Sequence, residues 1–226
     1  MKVSVIIPCL NERAVISRAV ASAWQSGTLE VIVADGGSDD GTWEHLRHLN
    51  CQAVRCSRGR AVQQNRAAQL ARGEVLLFLH ADCRLAPGCV AQALQALARF
   101  GHAVGGAFRQ RIEARGLAFR LLELGNGMRA LWGQCPFGDQ ALFIRRRVFQ
   151  QLGGFPPVPL MEDVLLARAA AARGQWLLLS GPVQVSPRRW LRRGVLRQTL
   201  HNWRLLWGLR RGEPLEQLAA TYEAIR

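Results

Sequence analysis

Gly73-Glu74-Val75-Leu76-Leu77-Phe78-Leu79-His80-Ala81-Asp82 is the stretch whose reading decides the fold. The apolar run Val75 to Leu79 is unbroken and stops at a histidine and a carboxylate. Such a run, bounded by glycine and polar residues, suits a strand buried on both faces of a parallel sheet. Ligands of such sheets bind beyond the carboxyl ends of the strands. Residues i and i+2 of an extended segment point the same way. His80 and Asp82 can therefore converge on one cation or phosphate. The competing reading is a strand that ends in a turn, with Asp82 capping the next helix.

Working outward, the same grammar repeats. Upstream, Val3 to Ile7 is an apolar run ended by Pro8, and a helical pattern follows from Ala14 to Trp24. Leu29 to Val33 is a second strand, closed by Asp35 and the loop Gly36-Gly37-Ser38-Asp39-Asp40-Gly41-Thr42, which opens a helix near Trp43. Gln52 to Arg55 is a short strand, and Arg58-Gly59-Arg60 leads into a helix that ends near Gly73. Downstream, Pro87 starts a helix through Phe100, as proline does in a first helical turn. Strand and helix alternating at this spacing predict βαβ units and a mostly parallel central sheet flanked by helices, an α/β fold. Past Gly101 the alternation weakens. Strands are expected at Ala103–Ile112, Ala141–Ile144 and Trp176–Leu179, and helices at Phe119–Trp132, Glu162–Arg173, Pro187–Arg211 and Glu216–Ile225.

The totals set limits. A chain of 226 residues with 49% hydrophobic content supports one large domain with a real core. The net charge of +14 is carried almost wholly by arginine, Lys2 being the one lysine, and favours anionic partners. Cys9, Cys51, Cys56, Cys83, Cys89 and Cys135 form no CxxC pair and read as small core residues in a reducing compartment. No signal peptide opens the chain and no run of about 18 apolar residues occurs, so the expected location is the cytoplasm. The basic, tryptophan-rich stretch 187–211 repeats Leu196, Leu200, Trp203 and Trp207 at helical spacing. Such a helix can lie on an anionic membrane, at the inner face, or pack its apolar side on the domain.

Three constellations carry chemistry. Asp35 stands at a strand end before Gly36 and Gly37, where a carboxylate can accept hydrogen bonds from a base or ribose and the glycines let backbone approach. Asp39 and Asp40 read as turn and cap residues. Glu162 and Asp163 follow a proline-rich stretch and begin a helix. They serve either its dipole or, at a cleft mouth, the deprotonation of a hydroxyl. Arg188-Arg189-Trp190 offers guanidinium forks for a diphosphate and an apolar wall for a ring. The two best-known phosphate loops are absent.

In order along the chain these pieces resemble the family 2 glycosyltransferases. Val3 to Glu12 resembles that family's opening strand and P-x-x-N-E turn, and Asp35 to Thr42 its DGSSDGT loop. Asn65, Gly73-Glu74 and the strand to His80-Ala81-Asp82 resemble its N…GE…DxD block. Gly153-Gly154-Phe155 with Glu162-Asp163 is similar to GGF…ED, and Ser186 to Trp190 stands where QxxRW is expected. His80-Ala81-Asp82, Gly138-Asp139-Gln140 and Pro159 to Asp163 also resemble a short bacterial subgroup described as radical-SAM/selenodomain-associated transferase 2.

The resemblance covers residues 3–190 and implies a GT-A fold. Residues 1–100 would be a nucleotide-sugar half, 101–190 an acceptor half, and 191–226 a basic, Trp-rich helical extension. It further implies that Pro8, Asn11, Glu12, Asp35, Asn65, Ala81, Asp82, Arg189 and Trp190 serve the nucleotide-sugar donor. Asp82 with His80 would hold a divalent metal, Mn²⁺ or Mg²⁺. Asp163, with Glu162 second, would be the general base of an inverting single-sugar transfer to an acceptor hydroxyl, for which the basic, Trp-rich end suggests a lipid-linked carrier. Two departures stand out: His80 replaces the first DxD carboxylate, and Ser186 replaces the glutamine that is prominent in polymerising synthases. Other readings are a nucleotidyltransferase, which calls for a basic glycine-rich loop at the first strand, and a non-catalytic basic membrane- or nucleic-acid-binding protein. Nucleic acid is not the expected partner, because the acidic motifs sit at strand ends while the basic, tryptophan-rich cluster lies apart at 187–211.

Overall fold

In the computed structural model, which describes residues 1–132 and 136–222, eight strands form one sheet. The strands are β1 Val3–Cys9, β2 Glu30–Asp35, β3 Gln52–Arg55, β4 Val75–Phe78, β5 Cys83–Leu85, β6 Ala103–Ile112, β7 Phe143–Arg145 and β8 Gln175–Val185. The helices are α1 Ile16–Gln25, α2 Thr42–Leu46, α3 Arg60–Leu70, α4 Cys89–Arg99, α5 Leu117–Trp132, α6 Arg146–Gln151, α7 Glu162–Ala171, α8 Arg188–Arg193, α9 Val195–Arg210 and α10 Leu215–Ala220. The sheet order is β3-β2-β1-β4-β7-β6-β8-β5. The first four strands are parallel, as predicted, so the ends of β1, β2 and β4 open on one edge. β7 runs antiparallel between β4 and β6, β6 and β8 are parallel, and β5 closes the sheet antiparallel to β8.

Fully buried runs explain the first half. β1, β2 and β4 are buried at every position. Residues on their two faces feed two apolar clusters, one around Val5, Ile7, Leu77 and α1, the other around Ile6, Ile32, Phe78 and α3. In the second half the sheet depends on missing side chains. A Cβ on Gly105 would lie 2.3 Å from the Phe143 carbonyl oxygen, and one on Gly106 2.4 Å from that of Leu177. These two glycines let β6 sit between β7 and β8.

Several expectations are corrected. Strand β5, helix α6 and a 3₁₀ turn at Gly138–Gln140 carry too few residues to show a period, and β8 extends well past Leu179. The helix expected over 187–211 is two helices, broken at Gly194, whose φ of 82° and ψ of 142° no helix accommodates. The closing helix runs Leu215–Ala220, shorter than the expected 216–225, of which 223–225 lie outside the described residues, as does Cys135. The other five cysteines are free and buried or partly buried. Among the described residues no helix is long and apolar enough to cross a membrane.

One buried carboxylate locks the sheet's far edge. Glu30, at the start of β2, accepts hydrogen bonds from Ser4 Oγ (2.6 Å), the Arg72 backbone N–H (2.7 Å) and Arg72 Nε (2.9 Å). Burial pushes its pKa up, but the bonds from Ser4 and Arg72 outweigh it and the net shift is downward. A carboxylate with a lowered folded-state pKa stabilises above its unfolded pKa and loses that contribution as pH falls through the folded value. Glu30→Gln is therefore expected to cost about 1–3 kcal/mol at neutral pH. In urea titrations the gap to the parent should close on acidification below about pH 4; a gap independent of pH would refute the assignment.

Candidate active site

The strand ends bring three loops together. Asn11 takes a left-handed conformation (φ 56°), which asparagine tolerates. Its backbone N–H donates to Ser38 Oγ (2.9 Å) and its Oδ1 accepts from the Asp39 N–H (3.0 Å). Asp35 is fully buried and accepts from the Gly37 and Ser38 N–H groups and from Ser38 Oγ, with Arg55 Nε at 3.5 Å. Asp40 accepts from the Thr42 and Arg13 N–H groups, as the turn reading expected. Gln63, buried on α3, donates to the Cys9 and Ala34 carbonyls (2.6 and 2.9 Å) and bridges the ends of β1 and β2.

Two adjoining cavities lie over this edge. The larger, about 340 Å³, is bordered by Pro8, Glu12, Arg58, Arg60, Gln63, His80, Ala81, Asp82, Glu162, Arg188 and Arg189. The smaller, about 90 Å³, is walled by Phe137, Asp139, Leu160, Met161, Asp163, Trp190, Gln198, Leu205 and Tyr222. His80, Asp82, Arg60 and Arg189 line both and form the partition between them.

Electrostatics sorts the site's charges. His80 is held neutral: burial, then Arg60, drops its pKa to about 3 despite Asp82. Its Nε2 is shielded and has no hydrogen-bond partner among the described residues. Asp82, His80 and Cys83 bring one ligand atom each within 4.8 Å of one another. Burial keeps the Cys83 thiol protonated, so it is a poor ligand. A carboxylate with an unpartnered neutral imidazole nitrogen is a donor set that fits Mn²⁺ better than Mg²⁺. Asp82 is also paired with a guanidinium: Arg188 Nη2 lies 3.0 Å from it while the same group forks onto Glu12 at 2.7 and 3.1 Å.

The two helix-start carboxylates face different partners. Glu162 is buried, is paired with Arg60 at 3.3 Å and faces the larger cavity; burial raises its pKa against the opposing pull of Arg60. Asp163 lines the smaller cavity, accepts from the Gly138 N–H, and accepts from the Val164 N–H at 2.7 Å. Asp163 therefore also satisfies a backbone donor of the first turn of α7. Arg189 donates to the Tyr222 hydroxyl, and Trp190 is buried with its Nε1 unpartnered among the described residues.

The structure thus gathers Pro8, Glu12, His80, Ala81, Asp82, Glu162, Asp163, Arg189 and Trp190 around the cavities. Asp35, Asn11 and Asn65 border neither. Asp35 and Asn11 hold the loops, and Asn65 clamps Phe155 through bonds of 2.8 and 2.9 Å to its carbonyl and N–H. Sequence reasoning missed Arg60, Gln63, Gln198 and Tyr222. Arg60 opens α3 beside a glycine, which is the only signal any of them leaves.

A parallel sheet with this edge and a mixed second half defines the GT-A class of sugar-nucleotide transferases. The sequence profile described as Glycosyl transferase family 2 matches residues 4–200, and the chain belongs to that family. It is 35% identical over 105 residues to the uncharacterized glycosyltransferase YfnE of Bacillus subtilis (strain 168), covering 42% of this chain and 27% of that protein. Among solved structures, S. aureus TarS 1-349 superposes with a TM-score of 0.64 at 20% identity, over 83% of this chain and 61% of that one. Mannosyltransferase PcManGT from Pyrobaculum calidifontis, solved with GDP-Man and Mn²⁺, superposes at 0.65 with 24% identity, over 90% and 60%. The chain thus spans about a quarter of the curated relative it matches and under two thirds of these solved chains.

The tightest packing at the site is at Gly138. A Cβ there would lie 2.5 Å from His80 Nε2 and 3.1 Å from Asp163 Oδ2. Gly138→Ala is expected to displace both groups, lowering transfer by about a hundredfold, as misplacement of about 1 Å can. Melting should show a fold that survives. Undiminished turnover would mean that neither group needs its present position.

Proposed function

We propose that this chain transfers a single sugar from a nucleoside-diphosphate sugar to an acceptor hydroxyl. The observation that carries the reading is the meeting of two cavities at His80, Asp82 and Arg189, with Asp163 on the wall of the second. The larger cavity takes the donor: Arg58, Arg60, Arg188 and Arg189 supply positive charge for a diphosphate, and Pro8, Glu12 and Ala81 border it. Asp35, Asn11 and Asn65 serve the donor through the loops they hold. Asp82 and His80 would hold a divalent cation, Mn²⁺ in preference to Mg²⁺. When bound, it offsets charge on the departing diphosphate.

Asp163 takes the acceptor proton. Glu162 is the weaker choice because Arg60 occupies it and it faces the donor. Direct displacement with this base inverts the anomeric centre. Residues 1–100 form the nucleotide-sugar half, to which Arg188 and Arg189 of the second half add positive charge, and 101–190 the acceptor half. The 191–226 extension closes the acceptor cavity through Gln198, Asn202, Leu205 and Tyr222. Asp163→Asn, which keeps the side chain's shape, should leave the thermal shift produced by UDP or GDP intact and cut transfer by about 10²–10⁴-fold. Retained transfer would remove Asp163 from the role of base, and long polymer products would overturn the single-sugar reading.

The acceptor is lipid-carried, and the protein works in peripheral contact with an anionic membrane. Support comes from the outer face of α9. Leu196, Leu200, Trp203 and Trp207 are each more than half exposed, and Arg197, Arg204, Arg210 and Arg211 are exposed around them. No acidic residue occurs from 188 to 212. Helix α5 presents a second stripe, Leu117, Leu121, Leu124 and Leu131, again each more than half exposed. Apolar faces ringed by arginine suit a surface of acidic lipids. Replacing Trp203 and Trp207 by serine should release the chain from phosphatidylglycerol vesicles in sedimentation while shifting stability by less than about 0.5 kcal/mol per exposed site. Equal sedimentation of parent and variant would rule this face out.

A further inference from the structure

Arg188 stands in the Arg188-Arg189-Trp190 tripeptide, but its partners lie far from it in sequence. Its guanidinium leaves the first turn of α8 and reaches the end of β1, 176 residues away in sequence, where Nη2 and Nη1 fork onto the Glu12 carboxylate. Nη2 is shared with Asp82 at 3.0 Å. All three side chains are largely shielded, at 28%, 14% and 16% exposure. Both carboxylates hold the Arg188 charge in place, and their pull more than offsets the burial that would lower its pKa. The carboxylate read as a metal ligand therefore already has a cation beside it, supplied by the chain.

Two cations cannot share that carboxylate cheaply. Arg58, Arg60 and Arg189 border the same cavity, so a metal arriving alone meets a site already rich in positive charge. A diphosphate changes the balance. It brings negative charge and planar pairs of oxygens, the geometry that a guanidinium fork takes up in place of a carboxylate. With that partner available, Arg188 can turn from Asp82 to the phosphates and expose the carboxylate.

We propose that Arg188 is a movable cation of the donor site, holding Asp82 and Glu12 while the cleft is empty and turning onto the diphosphate when the donor enters, so that nucleotide and metal bind as a coupled pair. This rests on the reading of Asp82 as a metal carboxylate in a donor site. Coupling of this kind is reciprocal: the factor by which nucleotide tightens the metal equals the factor by which metal tightens the nucleotide.

The test needs no acceptor and no turnover. Binding of Mn²⁺ alone, of UDP or GDP alone, and of each with the other is measured by calorimetry on the full chain and on Arg188→Ala and Arg188→Lys. In the parent, Mn²⁺ alone should bind weakly. Arg188→Ala should bind Mn²⁺ alone about tenfold more tightly, bind nucleotide alone about tenfold more weakly, and show a smaller coupling factor. Arg188→Lys keeps the charge without the fork and should fall between; it also serves as the folded control should the alanine variant be unstable. If nucleotide binds the parent but neither substitution changes Mn²⁺ affinity, the movable-cation role is wrong and the transferase reading stands. If neither UDP nor GDP binds the parent at all, the donor-site reading falls and this proposal with it.

Discussion

The pairing of β4 with β7 is the constraint on which the site depends. β4 ends the parallel half, and β7 is the first strand of the half that follows. Their antiparallel register sets Leu76 beside Ile144 and Leu77 beside Phe143, and the Phe78 N–H donates to the Leu142 carbonyl at 2.8 Å. Beyond that bond the two chains separate, one toward His80 and Asp82, the other back toward Gly138. A slip of one residue would turn every side chain of β7 to the opposite face, and Gly138 would no longer abut His80 and Asp163. Asp163, which accepts from the Gly138 N–H, would lose that partner.

How much of this was legible in the sequence follows from the range of the interactions. The parallel half was legible because each strand is an apolar run buried on both faces and closed by a turn; β3 was located to the residue and β4 to within one. The short strand β5, helix α6 and the 3₁₀ turn were not, because a few residues carry no period. Asp82, His80, Asp163, Arg189 and Trp190 were legible as motif positions, and all five border the smaller cavity. Asn11, Asn65 and Asp35 were legible as important, but their side chains are spent on loop geometry: Asn11 and Asn65 bond to backbone groups, and Asp35 to backbone N–H groups and Ser38, and none of them lines a cavity. Arg188 lay in a named tripeptide, yet nothing local says that its partners are Glu12 and Asp82. Such convergence across the whole chain leaves no trace in spacing.

The excess of arginine resolves into distinct duties. Arg72 and Arg60 neutralise buried carboxylates, Glu30 and Glu162, where removing one partner would leave an unpaired charge. Arg58, Arg188 and Arg189 give the larger cavity its positive character. The arginines of α9 stand outside, around exposed apolar residues, and Arg211 lies over the Trp207 ring at 3.7 Å. Part of the net charge of +14 thus stands at a cleft and along one helix, two places where an anion or an anionic surface can be met.

Helix α9 joins those two places. Leu205 and Leu206 pack with Leu160, Met161, Val164 and Leu218, while Gln198, Asn202 and Leu205 border the smaller cavity. Leu196, Leu200, Trp203 and Trp207 point the other way. The sequence period that drew attention to these four was real, but it marked the outer face, because the residues that pack inward are fewer and interrupted by Gln198 and Asn202. One helix therefore has its cavity wall and its exposed apolar stripe within a single helix diameter, about 10–12 Å. The break at Gly194 matters here, because it frees α9 to take its own direction from α8. Trp190 on α8 then stays buried in the core while the tryptophans of α9 face outward.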